Sequence, residues 1–171
     1  MKTNIALIGF MGTGKTAVGK LLAEKTGREF LELDAMIEEK AGMTIPEIFR
    51  QEGETGFRER EIAAVTELSG RKNSVIACGG GVVLNTINID RLREECLIVC
   101  LTASTETVIK RTGEDGGARP LLDTVERAAR VAELLKFRKP LYRQAADFTV
   151  ATSRLSLENV AAAIISKLKV L

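Results

Sequence analysis

The stretch "GFMGTGKT", Gly9 to Thr16, constrains this chain more than any other. It has the spacing G-x-x-x-x-G-K-[ST] and stands between a short apolar run, "IALIG", and a segment of helical spacing that opens at Lys15. A glycine turn in that setting aims backbone N–H groups and a helix N-terminus at a phosphate. Gly12, Thr13, Gly14, Lys15, Thr16 and Ala17 are therefore expected to hold a nucleoside triphosphate, with Lys15 reaching the β and γ oxygens and the Thr16 hydroxyl helping to hold Mg²⁺. The loop does not say what is done with the nucleotide, because kinases, GTPase switches and motor-type ATPases all use it.

Short apolar runs alternate with longer amphipathic stretches along the rest of the chain, which is an α/β pattern. Strands are expected at Ile5–Gly9, Glu29–Leu33, Ser74–Ala77, Leu97–Leu101 and Phe148–Val150. Helices are expected at Lys15–Thr26, Ala35–Lys40, Ile45–Gln51, Phe57–Leu68, Ile89–Glu94, Thr105–Arg111, Val125–Leu141 and Leu157–Lys167. At 171 residues and 45% hydrophobic content, residues 1–171 read as a single domain. The glycine-rich "RTGEDGGARPLLD", from Arg111 to Asp123, reads as a mobile lid over about residues 112–123.

Composition narrows the function. The 25 basic and 23 acidic residues nearly balance, no polybasic run occurs and aromatics are few, so nucleic acid is not an expected partner. No apolar stretch is long enough to span a membrane, and "MKTNIALIGF" meets the glycine loop with no cleavage pattern, so a cytoplasmic location is expected. Histidine is absent, which removes imidazole acid/base chemistry and the commonest metal ligand. Cys78, Cys96 and Cys100 lack CxxC spacing and sit among apolar residues, as buried thiols do. Small molecules remain the expected partners.

Candidate acceptor residues lie where an open α/β sheet puts its crevice, beyond the carboxyl ends of the strands. In "FLELDAM", Asp34 fits either an N-cap or a carboxylate that orients an acceptor hydroxyl for attack on a phosphate. In "FREREIAAVTEL", Arg58 shares a stripe with Ile62 and Val65, whereas Arg60 points to the solvated side. Arg138 shares a stripe with Val131, Leu134, Leu135, Leu141 and Tyr142, and Pro140 is expected to disturb the last turn. An inward guanidinium needs an anion: an internal partner, Glu61 or Glu59 for Arg58, or a ligand carboxylate gripped by both arginines. Arg119, in "GGARPLL", either reaches a transferring phosphoryl group when the lid closes or stands solvent-exposed on a flexible loop. A second glycine cluster, "ACGGGVVLN", has no Lys-Thr pair after it and no helix is expected at once. Either Gly79, Gly80 and Gly81 form a tight turn, or their missing side chains let an acceptor ring approach the backbone.

Taken together, "IALIGFMGTGKT", "LELD", "FRERE", "CGGGV", "RPLL" and "RKPLY", in this order and spacing, resemble the shikimate kinases of the nucleoside monophosphate kinase-like phosphate-loop group. The resemblance implies a five-stranded parallel sheet in the order 2-3-1-4-5 flanked by helices. It implies transfer of the γ-phosphate of ATP to the 3-hydroxyl of shikimate in chorismate and aromatic amino acid synthesis. ATP with Mg²⁺ and a monomeric chain are the accompanying expectations. The resemblance further implies that Lys15, Asp34 and Arg119 are catalytic, that Arg58, Arg138 and Gly79 to Gly81 hold shikimate, and that Arg111 and Arg154 border the adenine. The chain departs from the family in having Glu32 where an aspartate is common, so that a metal contact through water acquires an extra methylene. Ala77 and Cys78 replace a frequent hydroxyl residue, and no proline stands in "VATSRLSLEN". Two alternatives remain: a kinase for another hydroxy acid such as gluconate, and a nucleotide-binding module that transfers nothing.

Overall fold

The structure, a computed structural model, describes residues 2–114 and 127–170. Its centre is a parallel sheet of β1 (Asn4–Ile8), β2 (Glu29–Glu32), β3 (Ser74–Ala77), β4 (Cys96–Thr102) and β5 (Phe148–Ala151). The strand order is β2-β3-β1-β4-β5, as the resemblance implies. In register, Leu7 of β1 stands between Ala77 of β3 and Val99 of β4.

Parallel strands covered on both faces are apolar throughout, and every residue of β1 and β3 is buried. Successive side chains still choose opposite faces. Ile5 and Leu7 pack with Val18 and Leu22 of α1 (Lys15–Thr26) and with Val160 and Ile164 of a C-terminal helix, Leu157–Leu168. Ala6 and Ile8 pack on the other side with α2 (Leu33–Ala41), α3 (Ile45–Glu67), α4 (Thr86–Glu95), α5 (Thr105–Glu114) and α6 (Arg127–Ala145). The C-terminal helix is α7, and the result is three layers around the sheet.

Several boundaries differ from expectation for identifiable reasons. The two helices expected at Ile45–Gln51 and Phe57–Leu68 form one element, α3, that is bent at Gly53, whose φ of 71° only glycine adopts freely. A capping box between Thr44 and Glu47 fixes its start. Helix α4 opens at Thr86 rather than Ile89 because the Asn85 side chain caps the Ile87 N–H. Pro140 does not disturb a last turn: α6 continues past it to Ala145, where Tyr142 and Ala145 are buried. Proline's φ suits a helix, and packing outweighs the lost N–H bond. A single 3-10 turn, Val82–Leu84, follows the second glycine cluster at once, where no helix was expected. Helix α5 runs to Glu114, so the first residues of the expected lid are helical and Thr112 is buried. The rest of that segment, with Arg119 and the expected start of α6 at Val125, lies outside the described residues. Among the described residues, no helix is long and apolar enough to cross a membrane.

Candidate active site

The carboxyl ends of β1, β2 and β3 deliver three loops to one cleft of about 980 Å³. The first loop is Gly9 to Thr16. Gly9, Gly12 and Gly14 have φ of 144°, 77° and 95°, so the loop's path depends on residues without a Cβ. The Thr13 hydroxyl donates to the Phe10 carbonyl at 2.7 Å, tightening the curl. Lys15 Nζ lies across the loop, donating to the carbonyls of Gly9 at 2.8 Å and Phe10 at 2.9 Å. The Thr16 hydroxyl donates to Glu32 Oε1 at 2.7 Å, so the longer glutamate reaches the hydroxyl directly.

The same cleft is also lined by Asp34, Arg58, Glu61, Gly79, Gly80, Gly81 and Arg138. Asp34 sits inside the first turn of α2, whose N-cap position is Glu32, so the N-cap reading of Asp34 does not hold. Arg58 points inward as its stripe predicts, and its Nη1 donates to Glu61 Oε1 at 3.1 Å. Its Nη2 donates to Glu54 Oε1 at 3.3 Å, and its guanidinium lies over the Phe57 ring. Glu61 is 0% exposed and Arg138 is 2% exposed. Burial pushes the Glu61 carboxyl above its ordinary range; Arg58 opposes this, Asp34 reinforces it, and Arg138 opposes it again. Arg58 Nε, Arg138 Nε and Glu61 Oε2 are buried with no hydrogen-bond partner among the described residues. Unpaired buried donors on two arginines facing one pocket suit an anionic ligand.

Space rather than turn geometry calls for glycine at positions 79 and 81, while a Cβ at position 80 would meet only ordinary contacts. None of the three has a φ in the left-handed range. A Cβ at Gly79 would stand 2.9 Å from Asp34 Oδ1 and 3.0 Å from Glu61 Oε2, and one at Gly81 would overlap the Arg58 guanidinium. At Gly80 it would come 3.4 Å from the Met11 N and 3.8 Å from Arg138 Nη1. The second glycine cluster thus lies close to the acidic pair, the arginines and the phosphate loop.

Of the other expected residues, Gly12, Thr13, Gly14, Ala17 and Arg111 line the cleft as well. Arg111 Nη1 donates to the Gly12 carbonyl at 3.2 Å and to the Thr152 hydroxyl at 3.1 Å. Arg154 is exposed and is not among the lining residues; Leu155 and Leu157 are. Cys78, Cys96 and Cys100 are buried free thiols, and Cys78 forms part of the cleft wall. Sequence reasoning placed Glu61 only as a salt-bridge partner and missed Thr152 altogether. The buried Thr152 hydroxyl lies 3.0 Å from the Thr13 carbonyl and 3.1 Å from that of Thr102, joining the phosphate loop to the end of β4. Its position directly after β5 was the available signal.

A phosphate loop and an arginine-walled pocket at the carboxyl edge of a 2-3-1-4-5 parallel sheet define a phosphate-loop phosphotransferase for a small molecule. Residues 11–169 match the family model described as shikimate kinase. The shikimate kinase of Symbiobacterium thermophilum is 45% identical over 167 residues, which span 97% of this chain and 96% of that protein. That of Thermodesulfovibrio yellowstonii is 46% identical, with coverage of 96% and 94%. The solved shikimate kinase from Acinetobacter baumannii, in complex with shikimate, superposes with a TM-score of 0.94 at 42% identity, covering 98% of this chain and 93% of that one. The chain belongs to the shikimate kinase family.

Proposed function

We propose that this chain transfers the γ-phosphate of ATP to the 3-hydroxyl of shikimate, giving shikimate 3-phosphate and ADP in chorismate and aromatic amino acid synthesis, as a cytoplasmic monomer. Family membership supports the reaction, and the 42%-identical relative solved with shikimate supports the acceptor. The observation that carries the reading is the convergence of Arg58, Arg138 and Asp34 on the glycine wall in the same cleft as Lys15 and Thr16. In it, Arg58 and Arg138 grip the shikimate carboxylate, which turns the ring's hydroxyls toward Asp34. Asp34 accepts the hydrogen bond of the attacking hydroxyl and takes its proton as the new O–P bond forms and the bond to ADP breaks. Lys15 stabilises charge on the transferring oxygens, a task shared with Arg119 of the segment outside the described residues.

Thr16 and Glu32 suit Mg²⁺, since a hydroxyl and a carboxylate held 2.7 Å apart form a hard oxygen set beside the phosphate loop. No cluster of three or more His, Cys, Asp or Glu that could hold a metal occurs among the described residues, which fits a cation that takes most of its ligands from phosphates and water. When bound, Mg²⁺ would neutralise phosphate charge. Leu155 and Leu157 line the cleft with Arg111, beside the Thr152 junction, and supply apolar contact for adenine.

The test is ADP release with a panel of acceptors: shikimate, gluconate and a nucleoside monophosphate. Shikimate should be strongly preferred. Preference for gluconate or the nucleotide overturns the acceptor, and ATP binding with no ADP release from any acceptor overturns catalysis.

A further inference from the structure

Tyr142 is the chain's single tyrosine, and no tryptophan is present. It lies one helical turn after Arg138 on α6, so both side chains project from the same face. The ring is buried, and its hydroxyl donates to the carbonyl of Gly80, the middle residue of the acceptor wall. Arg138 lies beside that hydroxyl, and its guanidinium stands over the ring of Phe10, 5.8 Å from the centroid. Gly80 in turn packs against the backbone of the phosphate loop at Gly9 and Met11. Three elements therefore meet at one peptide: the end of β1, the wall after β3, and α6.

We propose that Tyr142 is a positioning residue for the acceptor: its hydroxyl holds the Gly80 carbonyl and thereby keeps the glycine wall in register with Arg138. The proposal rests on the reading that this pocket binds shikimate. A phenyl ring without the hydroxyl removes this donor from a part-buried carbonyl and lets the wall shift relative to the arginine. The nucleotide loop keeps its own hydrogen bonds through Thr13, Lys15 and Thr152, so the effect falls on the acceptor.

Tyr142→Phe keeps the ring and removes the hydroxyl. Its KM for shikimate should rise roughly five- to tenfold, with the KM for ATP within about twofold of the parent value. A comparable rise in both constants, or a lower melting temperature with an unchanged shikimate KM, assigns the bond to stability alone and overturns the proposal. A second measurement needs no variant. Fluorotyrosine incorporated throughout labels only position 142, and its ¹⁹F resonance should move on saturation with shikimate in the full chain. A resonance unmoved at saturation overturns the proposal. Arg138→Lys separates the two layers of argument. If it too leaves the shikimate KM unchanged, the acceptor-site reading has failed; if it raises KM while Tyr142→Phe does not, only the role of Tyr142 has.

Discussion

Replacing the three glycines of the acceptor wall one at a time by alanine tests whether they serve a turn or a close approach. Their backbones avoid the left-handed range, so a mere turn accepts alanine and gains about 0.4–1 kcal/mol from the stiffer unfolded chain. Close approach predicts the opposite sign and a graded series. At position 79 the methyl enters at 2.9 Å and 3.0 Å from two carboxylate oxygens, of Asp34 and Glu61, and one of them must move. Overpacking of this kind costs about 1–3 kcal/mol, which for a chain of this size lowers the melting temperature by about 2–12 °C. At position 81 the methyl displaces Arg58, the far end of a flexible side chain, so the larger effect falls on shikimate affinity. At position 80 the nearest atom is 3.4 Å away and the change should stay within about 0.5 kcal/mol. Thermal melts and the KM for shikimate read both quantities in the same samples. Three alanine variants that all melt higher than the parent, with unchanged KM, would refute the close-approach reasoning.

Glu61 should leave a signature in pH dependence. Burial raises its carboxyl above the ordinary 4.5, so the folded chain holds the proton more tightly than the unfolded one. Its contribution to stability is complete below pH 4.5 and is lost as pH rises through the native value. Urea midpoints across that window should carry this falling component in the parent and lose it in Glu61→Gln; equal slopes in both sink the assignment. Thr152→Val removes a buried hydroxyl beside the Thr13 carbonyl and Arg111 without changing shape, so stability should fall by about 1–3 kcal/mol. The KM for ATP should rise while that for shikimate holds, and the reverse pattern contradicts the placement. Burial pushes the thiols of Cys96 and Cys100 up to about 12 and about 11 and raises Cys78 as well. At mildly alkaline pH a disulfide reagent should therefore find no fast thiol in the folded chain and all three after denaturation, and rapid labelling at Cys78 would show the cleft wall to be open.

What could be read from the sequence followed from local causes. "GFMGTGKT" dictates strand, loop and helix within a few residues, and the apolar runs at β1, β3 and β4 are too short for anything but strands of a covered sheet. The misses depended on distant packing. Pro140 warns of a helix end, yet α6 continues because Tyr142 finds the Gly80 carbonyl, and nothing near Pro140 in the sequence announces that partner. Asn85 caps α4 by a local rule, but Ile89 carries the apolar signal and drew the expected boundary to itself.

Arg58 shows most clearly why the sequence left its question open. An internal partner and a ligand carboxylate stood as competing explanations of one inward charge, and the structure makes them compatible. Glu61 and Glu54 each take one N–H from the outer nitrogens, while Nε stays without a partner among the described residues. A guanidinium carries more donors than two such bonds consume, so it can keep Glu61 and still offer N–H groups to a ligand. Glu61 is fully buried, and a carboxylate in that position is tolerable only beside positive charge. The pair thus fixes the guanidinium before any ligand arrives, which lowers the ordering cost of gripping one. Removing Glu61 should accordingly weaken shikimate binding even though glutamate and shikimate carry charge of the same sign. If Glu61→Gln instead binds shikimate more tightly than the parent, Glu61 competes with the ligand rather than preparing its site.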